Sequence, residues 1–242
     1  MKKHPHEYVH IVSLLIGGFF CIAIFYYQLQ SYLLQLRMDF LDTQVQQVIH
    51  STTWYDFVSD DSITKYVDNK IPFSEVSYIP ENLVGLKGEY LIDTKRNSTL
   101  RQIALTNLVA LSGDFYKEFW VKIPVVSAYR SYTYQQGIKA RGCPDNLCAK
   151  AGYSEHQSGL VVDLWETTTN EAFMSQSHLR KYYDWLDKNA YKYGYTNTYQ
   201  NGVEVDGYEI EPWHWRYVWV KLARHLRESS ITFAEYYYSK TQ

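Results

Sequence analysis

The feature that most constrains this chain is an aspartate in the middle of an apolar run. Residues 159–165 read Gly-Leu-Val-Val-Asp-Leu-Trp. This pattern predicts a strand with Val161 and Asp163 on one face and Leu160, Val162 and Leu164 on the other. Burying a carboxylate in such a strand is costly unless a positive charge compensates it, and a metal ion would do so. His156 lies seven residues before Asp163, and Gly159 between them can turn the backbone so that both side chains converge. A second stretch, residues 211–214, adds Glu211 and His214. Two histidines, an aspartate and a further glutamate are the residue types of a catalytic zinc with its general base. Taken singly, each is as consistent with a half-buried histidine or a surface acid. Their grouping carries the argument.

The chain has 242 residues and a net charge of −2, so nucleic acid is not expected as a partner. Residues 11–27 are almost entirely apolar, and with residues 8–10 they reach about 20 residues, the length of a bilayer crossing. Lys2 and Lys3 precede the run, which places the N-terminus in the cytoplasm and the rest outside. The bulky residues 28–32 offer no small-residue cleavage site, so an uncleaved signal-anchor is expected over a cleaved signal peptide. The expected organisation is an anchor over 1–27, a helical stalk or linker over 28–70, and a catalytic domain over 71–242. About 200 residues suffice for one well-buried domain. Outside the cell, Cys143 and Cys148, which bracket Pro-Asp-Asn-Leu, are expected to form a disulfide; metal binding is the alternative.

Within the domain, helical spacing of Leu100, Ile103, Ala104, Leu108, Leu111 and Phe115 predicts a helix over 99–116. A strand is expected over 121–128, with Pro124 implying an edge or bulge, followed by a helix over 131–140. Leu179, Tyr182, Tyr183, Leu186 and Ala190 mark another helix ending near Gly194. Asn201-Gly202 predicts a hairpin turn with a returning strand over 207–211. Trp215, Val218, Trp219, Leu222 and Leu226 predict a closing helix. Pro212 keeps Glu211 and His214 off one continuous helix. Strand alternation points Glu155 away from the site. Hairpins mixed with helices indicate an α+β fold.

Three motifs carry a family resemblance: Ser-Ala-Tyr-Arg-Ser (127–131), Ser-Glu-His-Gln-Ser-Gly-Leu-Val-Val-Asp (154–163) and Glu-Pro-Trp-His-Trp-Arg-Tyr (211–217). They resemble the VanY-type D-alanyl-D-alanine carboxypeptidases, zinc peptidases with His-x6-Asp and Glu-x-x-His motifs, over residues 71–227. The resemblance implies a small antiparallel sheet flanked by helices, of the D,D-peptidase/Hedgehog-like kind, here preceded by one transmembrane helix. It implies His156, Asp163 and His214 as zinc ligands and Glu211 as general base. It also implies Arg130 as a catalytic and substrate-binding residue, with Gln135 and Ser154 as substrate contacts. The implied substrate is a peptidoglycan stem peptide losing a C-terminal D-alanine outside the membrane. Alternatives are an L,D-carboxypeptidase that trims tetrapeptide stems, or a non-catalytic wall-binding module. Ala128, Ala151-Gly152 and Thr198-Tyr199-Gln200 depart from the family pattern without touching the implied ligands.

Overall fold

The computed structural model describes residues 24–38, 55–166 and 169–241. Residues 24–38 are helical (α1). Residues 1–23 of the expected anchor and residues 39–54 of the expected stalk lie outside the described residues. Among the described residues, no helix is long and apolar enough to cross a membrane. A compact unit begins at Tyr55, within the stretch read from sequence as stalk.

Short strands, β-branched in β4 and β5 and aromatic in β6 and β7, build the sheet at the centre of this unit. Its strands are β2 (Leu91–Asp93), β4 (Ile123–Ser127), β5 (Val161–Leu164), β6 (Tyr195–Asn197) and β7 (His214–Tyr217), in the order β2-β4-β5-β7-β6. β1 (Leu83–Gly85) and β3 (Thr99–Arg101) form a separate antiparallel pair. The five-stranded sheet is mixed, not wholly antiparallel as expected. β2 and β4 run parallel because helix α2 (Gln102–Phe119) lies between them in sequence and supplies the crossover that parallel strands require. Pro124 sits in a central strand, beside a register shift between Val125 and Ser127.

α2 buries Ala104, Leu108, Leu111 and Phe115, which recur every three or four residues as one apolar stripe. These residues share a core with Ile123, Val125, Val162 and Leu164 of the sheet and with Leu179 and Leu186 of α5 (Ser177–Asn189). A second core joins Tyr66, Leu222, Leu226 and Phe233, and so ties residues 55–71 to α7 (Val220–Ser229) and α8 (Phe233–Thr241). Two further short helices are α3 (Tyr132–Ala140), capped by Ser131 Oγ, and α4 (Asn170–Ser175).

Two expectations fail between β6 and α7. Asn201-Gly202 does not close a hairpin. It leads into a short helix, α6 (Val203–Asp206), because the Asp206 carboxylate accepts the Gln200 and Asn201 amides and winds the chain locally. The strand that pairs with β6 is β7, so Trp215 lies in the sheet and only residues from Val220 onward form the closing helix.

Candidate metal centre

Antiparallel pairing of β5 and β7 sets Asp163 opposite His214, and Val161 opposite Arg216. Residues directly opposite share a sheet face, so the carboxylate and the imidazole meet. His156 arrives from a single 3₁₀ turn, Glu155–Ser158, that ends on Gly159 in the left-handed conformation (φ 68°). A Cβ on Gly159 would lie 2.8 Å from Leu83 Cδ2, so the Leu83 side chain would have to shift, and the left-handed backbone is what favours glycine here. One ligand atom from each of His156, Asp163 and His214 lies within 4.8 Å of the others.

The ring nitrogens decide what this cluster can hold. His156 Nδ1 lies 2.6 Å from the Ala128 carbonyl, which can only accept, so Nδ1 carries the hydrogen. Nε2 is then a lone pair, buried and without a hydrogen-bond partner among the described residues, 3.2 Å from Asp163 Oδ2. On His214, Nε2 donates to Glu155 Oε2 at 2.9 Å, and Nδ1 faces Asp163 Oδ1 at 3.2 Å. Two nitrogen lone pairs aimed at one buried carboxylate repel it unless a cation sits between them. The residues therefore fit a metal ion. Without one, a proton takes that place. Burial acts to lower the His214 pKa, but its bonds to Asp163 and Glu155 outweigh burial and hold it at about 9. Burial, reinforced by the Arg130 charge, lowers His156 to about 4, so it is neutral and able to ligate near pH 7. Asp163 is held well below the usual carboxylate range by the two histidines, against its burial.

Glu211 lies in the loop before β7, where its backbone N–H donates to Tyr199 O and its carbonyl accepts from Asn197 Nδ2. Its Oε2 is 3.5 Å from His214 Nδ1. Burial and the Asp163 charge raise it to about 7, against the pull of His214 and Arg130. A carboxyl poised near neutrality suits proton transfer. A cavity of about 20 Å³ opens here, lined by Arg130, Ser154, His156, Glu211 and His214 together with Leu147, Ala149 and two tyrosines. Arg130 Nε is buried with no partner among the described residues, which leaves hydrogen-bonding capacity for a ligand. Gln135 is not among the cavity residues. Its Nε2 donates to the carbonyl of Ala149 at 2.7 Å and so supports the cavity wall. Glu209 faces elsewhere, accepting from Asn146 Nδ2 at 2.8 Å. Cys143 and Cys148 are paired as a disulfide, four residues after Lys139 and just before the wall residue Ala149.

Glu155 corrects the sequence reading. Alternation pointed it away, but residues 155–158 form a 3₁₀ turn, where a period of two does not apply. It is buried beside His214. Arg216 lies behind it, two residues along β7 from His214 and therefore on the same face. The spacing His214-Trp-Arg216 in a strand was the available signal.

The family model described as VanY, D-alanyl-D-alanine carboxypeptidase, matches residues 97–220. The Bacillus subtilis protein YodJ is 31% identical over 173 residues, which cover 66% of this chain and 62% of YodJ. The chain thus spans less than two thirds of that relative. Among solved structures, the LdcB LD-carboxypeptidase superposes with a TM-score of 0.61 at 30% identity, covering 74% of this chain and 86% of that one. A vancomycin-resistance D,D-pentapeptidase VanY in complex with Zn(II) gives 0.54 at 26% identity, covering 70% and 96%. With half of its length matched by the family model and the metal-binding arrangement in place, the chain belongs to the VanY family of D-alanyl-D-alanine carboxypeptidases.

Proposed function

We propose that this protein is a zinc carboxypeptidase that removes the C-terminal D-alanine from peptidoglycan stem peptides. The observation that carries the reading is the pair of histidine lone pairs converging on Asp163 beside Glu211, in one cavity with Arg130, whose Nε has no partner among the described residues. His156 Nε2, an Asp163 oxygen and His214 Nδ1 would hold the metal. Zinc held by three protein ligands supplies Lewis acidity, polarising a scissile carbonyl and lowering the pKa of water towards about 7. The chain's own groups do the rest. Glu211 accepts the proton of the attacking water and returns it to the leaving amine. The Arg130 guanidinium binds the substrate carboxylate or the developing oxyanion. Ser154, at the cavity wall, offers a hydroxyl to the peptide. Gln135 supports the cavity wall through its bond to the Ala149 carbonyl.

A second reading, an L,D-carboxypeptidase acting on tetrapeptide stems, is favoured by the likeness to LdcB. A non-catalytic module is disfavoured by the intact Glu211. The apolar run over 11–27 supports an extracytoplasmic domain anchored by one membrane helix. Digestion of defined penta- and tetrapeptide stems by the purified protein tests the reading. D-alanine release from the pentapeptide is expected. Cleavage of the tetrapeptide alone would replace D,D by L,D specificity, and cleavage of neither would overturn the enzyme.

A further inference from the structure

Glu155 takes no part in the chemistry proposed above, yet it is the most fully bonded acid near the site. Its Oε2 accepts from His214 Nε2 at 2.9 Å and from Thr198 Oγ1 at 2.6 Å, and its Oε1 accepts from Arg216 Nη1 at 2.5 Å. Arg216 is itself fully buried, with its Cζ 5.0 Å from the Phe233 ring centroid, and its other terminal nitrogen donates to the Lys65 carbonyl. A buried ion pair is weak evidence for a stabilising role, because its desolvation offsets much of its attraction. What it supplies here is direction. A carboxylate accepts only, so the hydrogen of the neutral His214 ring is confined to Nε2 and the Nδ1 lone pair is aimed at Asp163. Tyr199, stacked on the same ring at 4.3 Å, limits its rotation.

We propose that Glu155 is a positioning residue for the metal centre: it fixes the tautomer and orientation of His214 and is itself held by Arg216, which is tied to the chain at Lys65. The inference rests on the metal-site reading given above. It makes residues 55–70, which precede the family-matched span, part of what builds the site. An outer partner of this kind typically changes metal affinity by about 10- to 100-fold.

The test uses the full-length protein as wild type and as the double variant Glu155→Leu/Arg216→Met, which leaves no acceptor opposite His214 Nε2. The double variant removes both buried charges together, so neither is left unpaired. Zinc affinity is measured by chelator competition, folding by circular dichroism, and the His214 ring by long-range ¹H–¹⁵N spectra of the zinc-loaded wild type. The expected result is a folded double variant that binds zinc about 10- to 100-fold more weakly, and a wild-type His214 carrying its hydrogen on Nε2. Unchanged zinc affinity in the folded double variant, or a hydrogen on Nδ1, overturns the proposal. If the double variant does not fold, Thr198→Val decides: it removes one bond to the same carboxylate, and unchanged affinity there overturns the proposal equally. If the wild type binds no zinc, the metal-site reading itself falls. That result is distinct from a wild type and variant that bind alike.

Discussion

Replacing Glu211 by Gln separates proton transfer from metal binding. The amide keeps the size of the side chain and removes its capacity as a base. Glu211 lies outside the cluster of converging ligand atoms, so the variant should keep near-stoichiometric zinc and a native fold. Loss of a general base costs about 10²–10⁴ in rate, or about 3–5 kcal/mol of transition-state stabilisation. The carboxyl is raised to about 7 by burial and by Asp163, so wild-type kcat/KM should fall as pH drops below that region and the base becomes protonated. A bound cation lowers that midpoint, and in the variant this acid limb should disappear. The assay is D-alanine release from a defined pentapeptide across pH, with zinc measured on the same samples. Full activity in Glu211→Gln would refute the assigned base. Loss of zinc together with activity would make Glu211 a ligand and refute the three-ligand scheme.

Other consequences can be checked by stability measurements. Gly159→Ala forces a side chain into φ 68° and against Leu83, which should cost about 1–3 kcal/mol and lower Tm; an unchanged Tm would remove the geometric requirement. Arg216 and His214 depress Glu155 to about 2, against its burial, from an ordinary 4.5. Its contribution to the metal-free protein is therefore complete above about pH 4.5 and is lost as pH falls towards 2. Linkage puts that loss on the order of 3 kcal/mol, so urea stability should fall less steeply between pH 4.5 and 2 in Glu155→Leu/Arg216→Met than in wild type; equal slopes would contradict it. Reducing Cys143–Cys148 opens a short loop and should remove about 2 kcal/mol in the chain-entropy picture, seen as a lower urea midpoint; an identical midpoint would show that the bridge does not constrain the unfolded chain.

Much of the site was legible because its residues lie in short local patterns. The alternation around Asp163 marked β5, and Gly159 marked the turn that brings His156 back to it. The apolar stripes of α2 and α5 were equally clear, although α2 begins at Gln102, after a short strand that the stripe concealed. What could not be read depended on non-local partners. Trp215 satisfies a helical spacing with Trp219 and Leu222, but pairing with Val162 and Asn197 draws it into the sheet. Asn201-Gly202 is a hairpin signal only if nothing else claims the neighbouring amides, and Asp206 claims them. Glu155 was misplaced because the period assumed was that of a strand, and its partners, Arg216 and Thr198, are more than forty residues away. No local pattern announces that Lys65 meets Arg216 across 151 residues.

The most direct test of the central claim is an anomalous difference map at the zinc absorption edge from crystals of the zinc-loaded protein. The three-ligand site should give one strong peak enclosed by His156 Nε2, His214 Nδ1 and an Asp163 carboxylate oxygen, with Glu155 still bonded to His214 Nε2. A peak held by Glu211 or by His214 Nε2, or a protein fully active on pentapeptide with no zinc at these three residues, would contradict it.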